Sequence, residues 1–106
     1  MTGMQRAEEG HREAAKDALI EELLVVAGRA QAWYRVPALM GGGGGSFTNL
    51  SLNAVHFDST RFMGNYVLAD IQDQSFRVIG VGHEGELLMV TLEAFPDSVA
   101  IVDIVQ

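Results

Sequence analysis

Residues 13–36 read EAAKDALIEELLVVAGRAQAWYRV, and this stretch decides the fold that the sequence predicts. Its apolar residues recur at steps of four, four, three, four and three, which is the spacing of one face of an α-helix. The apolar stripe consists of Ala15, Leu19, Leu23, Val26, Ala30 and Trp33, widened by Ile20, Leu24, Ala27 and Tyr34. A helix with so broad an apolar face needs a second layer to cover it.

The helix is expected to end near Arg35 or Val36, because Pro37 disfavours a helical backbone in the residue before it. Leu23 lies in the middle of the stripe, and Glu22 is expected on the opposite, solvent-facing side. A carboxylate at position 23 would be buried without a partner, whereas removal of the Glu22 side chain is expected to leave the fold intact.

The composition is that of one globular domain of 106 residues, with 48% apolar and 20% charged residues. The net charge is −7, and the part from Pro37 onward has eight carboxylates against only Arg61 and Arg77. Such an acidic sheet domain repels phosphate backbones, so nucleic-acid binding is not expected. The chain has no cysteine, which excludes disulfides, thiolate metal ligands and a thiol nucleophile.

Residues 1–17 are polar and mixed in charge, and Gly10 weakens a helix there, so a helical or frayed leader is predicted. Residues 18–106 are predicted to form a single helix-plus-sheet domain. The chain contains no apolar run of about 18 residues, so nothing in it is expected to span a membrane.

Five consecutive glycines, Gly41–Gly45, follow the predicted helix. A phosphate-binding loop needs a strand before the glycines and Lys followed by Ser or Thr after them. Here a helix precedes and Ser46-Phe47-Thr48 follows, so a flexible or tightly turned crossover from helix to sheet is predicted instead.

Short strands are predicted over the second half of the chain. Leu50–Val55 is a first short strand or an extended connection, and residues 58–65 are irregular, with Phe62 and Met63 as core plugs under the helix. Four strands then follow, at residues 66–71, 76–81, 87–95 and 99–105, separated by turns at 73–74, 83–86 and 96–97. Connections this short require antiparallel neighbours, so the predicted fold class is α+β, with the long helix packed on a four-stranded antiparallel meander.

Alternation along these strands predicts which side chains face the helix. The buried set is Val67, Ala69, Ile71, Leu88, Val90, Leu92, Ala100, Val102 and Ile104, and the exposed set is Asp70, Arg77, Thr91, Glu93 and Asp103.

Few residue patterns point to site chemistry, and no catalytic, cofactor-binding or metal-binding residue is predicted. His56 and Asp58 share a strand face, but a metal site needs a third ligand, which His83, Glu84 or Glu86 would have to supply from across the sheet. Glu93 and Asp103 are expected to face each other across the last two strands as like-charged neighbours on an exposed surface. Trp33 and Tyr34 end the helix with large amphipathic rings, a composition enriched at binding surfaces.

Two quoted segments carry a resemblance to a known family. Residues 27–37, AGRAQAWYRVP, run directly into residues 38–47, ALMGGGGGSF, so that an aromatic-Arg-x-Pro helix end meets a Gly-rich turn closed by Ser and an aromatic residue. Asn65-Tyr66 at one strand start and Gly80-Val81-Gly82 at the end of the next add to it. Over residues 18–95 the pattern resembles type IV pilins and pseudopilins, a prepilin-like group, without the apolar N-terminal half-helix and processing site of that family.

The resemblance implies a non-enzymatic structural or interaction subunit of a pilus-like or secretion-system-like surface assembly. It implies self-association or contact with other pilin-like subunits, with an interaction surface at Trp33, Tyr34, Arg35 and Phe47. Membrane anchoring of an extracytoplasmic domain would require an apolar segment upstream of these residues. The alternative hypothesis is a small-ligand or carbohydrate-binding module that uses the cleft between the helix end and the Gly-rich crossover.

Overall fold

The computed structural model describes residues 2–61, 64–82 and 88–106, with side chains from Ala14 onward. The prediction for the leader, residues 1–17, therefore falls mostly outside the described side chains. The predictions for Phe62 and Met63 and for the turn at residues 83–86 lie outside the described residues altogether.

One long helix precedes an antiparallel sheet. The elements are helix α1 (Thr2–Arg35), strand β1 (Thr60–Arg61), β2 (Gly64–Ala69), β3 (Phe76–Gly82), β4 (Met89–Ala94) and β5 (Val99–Val105). The strands lie in the sheet in chain order, and every neighbouring pair is antiparallel. The predicted α+β class, the antiparallel meander and the helix end at Arg35 are confirmed.

The sheet has five strands in the described residues where four were predicted, because Thr60 and Arg61 pair with Asn65 and Gly64. The prediction of a short strand or an extended connection at Leu50–Val55 is wrong. That segment contains a short 3-10 helix, Asn53–Val55, whose last residue is buried. Alternation of apolar and polar residues over so few positions does not separate a strand from a single helical turn.

The core lies between the apolar stripe of α1 and the central strands. Leu19, Leu23, Val26 and Ala30 are fully buried, as predicted, and Ala27 is 1% exposed. On the sheet side the fully buried residues include Val78, Val90 and Leu92. The helix contacts β3 and β4, which places it over the middle of the sheet.

Leu24 was predicted to widen the buried stripe, but its side chain is 44% exposed. The helix contacts β3 and β4, and no comparable packing of α1 on β5 is found among the described residues, so the flank of α1 nearest that edge is uncovered. The apolar stripe of α1 is thus wider than the part of the helix surface that the sheet covers.

Two glycines allow α1 to lie close to the sheet. A Cβ at Gly80 would lie 2.9 Å from the ring of Tyr66 and 3.2 Å from Leu19, and one at Gly64 would lie 2.8 Å from Leu19. Both contacts are closer than packed side chains tolerate, so a larger residue at either position would push the helix away.

The predicted phase of β2 is wrong. Val67 is 54% exposed, whereas its neighbour Tyr66 is 3% exposed and packs over Gly80 on the helix side. Both alternating sets of β2 are largely apolar, so the sequence pattern alone did not select the face. Gly80 has no side chain, and the Tyr66 ring occupies the space that this leaves beneath the helix.

On β4 the buried face is predicted correctly, whereas on β5 it is not. Val90 and Leu92 of β4 are buried, as is Leu88 just before the strand, but every residue of β5 is exposed or half-buried. Ala100, Val102 and Ile104 are therefore not core residues; α1 packs on β3 and β4, and a bulge between the pairs of Thr91 and Leu92 shifts the alternation of β5. Thr91, predicted exposed, is 8% exposed because it is on a central strand between Ile79 and Asp103.

Adjacent leucines of α1 provide a matched test of the packing. Leu23→Ala is expected to lower the free energy of unfolding by about 2–5 kcal/mol, because Leu23 is fully buried and the truncation leaves a cavity. Leu24→Ala, the same change one residue later, is expected to cost less than about 1 kcal/mol. Urea denaturation of both variants at low protein concentration measures the difference, and equal losses would show that the assigned helix face is wrong.

Candidate functional site

The last turn of α1 is closed by the Gly-rich crossover. The amides of Gly43, Gly45 and Gly44 donate to the carbonyls of Trp33, Tyr34 and Val36 at 2.9, 2.8 and 2.9 Å. The carbonyls at the end of a helix have no partner within it, so the crossover supplies the cap. These amides face the negative end of the helix dipole, which is the opposite of a phosphate-binding arrangement.

The crossover is a tight turn that requires glycine. A Cβ at Gly43 would lie 2.3 Å from the carbonyl oxygen of Ser46 and 2.7 Å from the Trp33 ring. Gly44 and Gly45 have φ of +60° and +85°, a left-handed conformation that costs an L-residue about 1–2 kcal/mol. Of the two predicted alternatives, flexible or tightly turned, the structure has the second.

The aromatic residues predicted as an interaction surface are built into this turn. Trp33 is half-buried, and its indole Nε1 donates to the carbonyl of Gly41 at 3.1 Å. The Tyr34 hydroxyl donates to Oε1 of Gln74, in the β2–β3 turn, at 2.7 Å. Phe47 is fully buried, with its ring 4.7 Å from that of Tyr34 and 5.0 Å from that of Phe76. The ring of Phe47 is thus not available to a partner in this fold.

Arg35 joins the helix end to the β4–β5 turn. Its guanidinium donates to the carbonyls of Gln31 and Pro96 and to Asp97 Oδ1, at 2.9, 2.8 and 2.6 Å. One turn earlier, the Gln31 amide donates to the carbonyls of Phe95 and Ser98 at 2.8 and 3.2 Å. Sequence reasoning missed Gln31, although its spacing of four from Arg35 places both on one helix face.

Arg35 remains half-exposed, as do parts of Trp33 and Tyr34. Of the four predicted residues, Tyr34 and Phe47 pack ring against ring, whereas Trp33 bonds to the crossover and Arg35 bonds to the β4–β5 turn. Their use as an interaction surface stays a prediction.

A shallow, open cleft of about 440 Å³ lies beside the helix end. Its walls are Arg29, Ala32, Trp33, Ala54, Val55 and His56. The Arg29 guanidinium donates to the carbonyl of His56 at 2.8 Å, and thereby holds the 3-10 helix against α1. His56 has a φ of +56°, so the segment turns sharply away after it. The ligand-binding hypothesis placed its cleft between the helix end and the Gly-rich crossover, whereas the walls of this cleft come from α1 and from residues 54–56.

The residues considered for chemistry have other partners or lie outside the described residues. The proposed third ligands for His56 and Asp58, at positions 83, 84 and 86, are outside the described part of the chain, and the described part contains no cluster of three metal-ligating side chains. Glu93 and Asp103 do not face each other. Glu93 lies across from Ala100 and accepts a hydrogen bond from Arg77 Nε at 2.8 Å, while Asp103 lies across from Thr91.

Glu22 is not the solvent-facing residue that was predicted. Its Oε2 lies 2.8 Å from Arg61 Nε, and its side chain is only 18% exposed. The Arg61 guanidinium also stacks on the Phe57 ring, 4.5 Å from its centroid. Burial raises the pKa of the neighbouring Tyr66 hydroxyl, and the Glu22 carboxylate raises it further. The ion pair between Glu22 and Arg61 connects α1 to β1. The two residues are 39 positions apart in sequence (61 − 22), and the sequence did not indicate this contact.

Within the part of the chain that the structure describes, no helix is long and apolar enough to cross a membrane. Comparison with known proteins gave no match to any family model, curated protein or solved structure.

Substitution by alanine is expected to have opposite effects on the stability of the domain at two of its glycines. Gly43→Ala is expected to destabilise the domain by about 1–3 kcal/mol, because the methyl group would overlap the Ser46 carbonyl and the Trp33 ring. Gly28→Ala is expected to stabilise it by up to about 1 kcal/mol, since Gly28 is inside α1 and, apart from the adjacent helix itself, nothing lies within 4 Å of its Cβ position. Thermal unfolding checks both, and a stabilising Gly43→Ala would contradict the tight-turn assignment.

The crossover also sets the charge state of Asp73. Hydrogen bonds from Ser46 and from Gln74 Nε2, the latter at 2.9 Å, lower the pKa of Asp73 below 3.8. Because the folded-state pKa is lower, Asp73 adds stability above the unfolded pKa, and this is lost as the pH falls through the folded pKa. Ser46→Ala is expected to raise the Asp73 pKa toward 3.8, as measured by carboxyl-carbon NMR titration. An unchanged pKa would show that Ser46 does not act on this carboxylate.

Proposed function

We propose that this chain is a non-enzymatic structural or interaction subunit of a pilus-like or secretion-system-like surface assembly. The observation that carries the proposal is the attachment of α1 to the sheet at its C-terminal end. Three separate connections hold that end: the glycine cap, the bond from Tyr34 to Gln74, and the bonds from Arg35 to the β4–β5 turn.

Such an attachment suits a subunit that is held in an assembly by its helix. Tension applied along α1 would pass to the sheet through several bonds loaded together rather than through one flexible linker. The described contacts with the core run from Ala15 to Tyr34, about 30 Å at 1.5 Å per residue, so the helix and sheet share a long interface. The resemblance in residues 27–47 to pilin-like proteins supports the same function.

The exposed apolar side chains at the tip of the crossover support a role in contacts with other subunits. Leu39 is fully exposed and Met40 is 76% exposed, both on the 3-10 helix Ala38–Met40. The tight turn that follows holds them in place, so a partner would not have to order a flexible loop. Other pilin-like subunits are the partners that we propose for this tip.

A fractionation experiment tests the function. In cells that express the chain from its complete native gene, the protein is expected in the high-molecular-weight material released by shearing the cell surface. Leu39→Asp combined with Met40→Asp is expected to reduce that fraction several-fold without changing the thermal midpoint, because both side chains are exposed. Recovery of the native protein only as a free monomer in the soluble fraction would contradict the proposal.

The second candidate function is a small-ligand or carbohydrate-binding module, and the cleft beside Arg29, Trp33 and His56 is the observation that favours it. A sugar ring could stack on the indole while the guanidinium and imidazole bond its hydroxyls. Saturable shifts of the Trp33 indole NMR signal on addition of oligosaccharides, lost in Trp33→Leu, would favour this candidate over the structural subunit.

A further inference from the structure

Strand β5 forms one edge of the sheet and is apolar along nearly its whole length. It pairs with β4 on one side, and no other described strand lies on its outer side. Val99, Ile101, Val102 and Ile104 are 39, 40, 44 and 41% exposed. An edge strand leaves a row of unpaired N–H and C=O groups, and sheets commonly protect such edges with lysine, proline or a very short strand. β5 has seven residues, of which one, Asp103, is charged, and it contains neither lysine nor proline; its one protective irregularity is the bulge at Val102.

Three of these side chains face the helix side of the sheet. Val99, Ile101 and Ile104 lie opposite Ala94, Leu92 and Val90, which are buried beneath α1. Residues directly opposite on paired strands point to the same face. The apolar sheet face that α1 covers on β4 therefore continues onto β5, where α1 does not cover it.

The exposed flank of α1 lies beside this uncovered part of the sheet. Gln31 reaches the β4–β5 turn, and Leu24, seven residues earlier, lies on the same helix flank. Leu24 is 44% exposed and Ile20, one turn before it, is half-buried. Leu24 and Ile20 thus add exposed apolar area beside the uncovered side chains of β5. Ile20, Leu24 and the exposed apolar residues of β5 are together called the β5 surface.

The charged residues near β5 indicate what kind of partner could bind the β5 surface. The single carboxylate of β5, Asp103, lies opposite Thr91 and therefore on the other face of the sheet. At the start of the strand, Asp97 is paired with Arg35. On the neighbouring flank of α1, Asp17 and Glu21 are exposed carboxylates, and Glu21 is three residues before Leu24. The helix-side face of β5 itself has no charge for a charged partner to recognise, whereas a second copy would bring an identical apolar strand edge.

We infer that β5 is a self-association site, at which two copies of this chain pair their β5 strands antiparallel about a two-fold axis. The pairing would satisfy the free backbone groups of both edges and bring the Ile101 regions of the two copies together. Only four side chains, each about two-fifths exposed, and the strand edge would be buried, well short of the roughly 800 Å² per partner of a standard interface, so the contact would be weak and transient.

Self-association through β5 adds a specific contact to the proposed function. Only its location, between subunits of a surface assembly, rests on that proposed function. A two-fold contact closes after two copies, so it would join neighbouring subunits or assemblies side by side rather than extend a filament. A weak contact suffices there, because copies held in one assembly have a high effective concentration. The contact itself is a property of the purified chain.

The absence of native cysteine allows a direct test, since an introduced thiol is unique. Ile101→Cys, Val102→Cys and Asp103→Cys are made singly and oxidised at about 0.1 mM protein, a concentration at which a weak interface is partly occupied. At least one is expected to give a disulfide-linked dimer at a rate at least tenfold above Val67→Cys. Val67 is the matched control, an exposed strand residue on the opposite face of β2.

Sedimentation equilibrium of the native chain provides the second measurement. A dimer with a Kd of about 0.01–1 mM is expected, strengthened at higher salt because the net charge of −7 is screened. Ile101→Lys is expected to raise Kd at least tenfold and Val67→Lys to leave it unchanged, with circular dichroism confirming that both variants fold.

A chain that stays monomeric at 1 mM, or equal cross-linking at Val67 and at β5, would overturn the inference without affecting the proposed function. Cross-linking of β5 to a different protein in cell extracts, with none between copies, would also overturn it. Dimerisation through β5 by a chain that never enters a surface assembly would instead leave this site standing and remove the proposed function.

Discussion

The carbonyl groups in the last turn of α1 need hydrogen-bond donors, and the way they are satisfied organises the rest of the structure. Gly43, Gly44 and Gly45 turn their amides back onto the helix end, which reverses the chain within a few residues. That reversal delivers Phe47 into the core between Tyr34 and Phe76. The cap and the first buried ring of the sheet layer are thus consequences of one glycine-dependent turn.

The placement of α1 over β3 and β4 makes the two edges of the sheet different. On the β1 side, the helix is tied down by polar groups, with Arg29 bonded to the 3-10 helix and Glu22 paired with Arg61. On the β5 side, Gln31 and Arg35 reach only the β4–β5 turn, and the body of the strand is left uncovered. An acidic protein that would otherwise repel its copies therefore has one apolar, nearly uncharged edge.

The candidate site shows how far residue types alone lead. Trp33, Tyr34 and Arg35 could be singled out because large amphipathic side chains cluster at a helix end. The structure places Tyr34 against Phe47, Trp33 against the crossover and Arg35 against the β4–β5 turn. Their partners, among them Gln74, come from turns far away in sequence, and nothing local to those turns indicates the contact. Glu22 illustrates the same limit, since only the position of Arg61 in space makes it a buried partner rather than a surface charge.

The sequence by itself determined the helix, its end before Pro37, the presence of a glycine crossover and the antiparallel order of the longer strands. These depend on interactions among residues close in the chain: helical periodicity, backbone restriction by proline and glycine, and short turns. Only the tertiary structure decided which face of β2 is buried, that β5 is uncovered, and that Leu24 is exposed. The physical reason is that strands with apolar residues on both faces encode no preference, so the covered face is selected by where the helix lies and by the space at Gly80 beneath it.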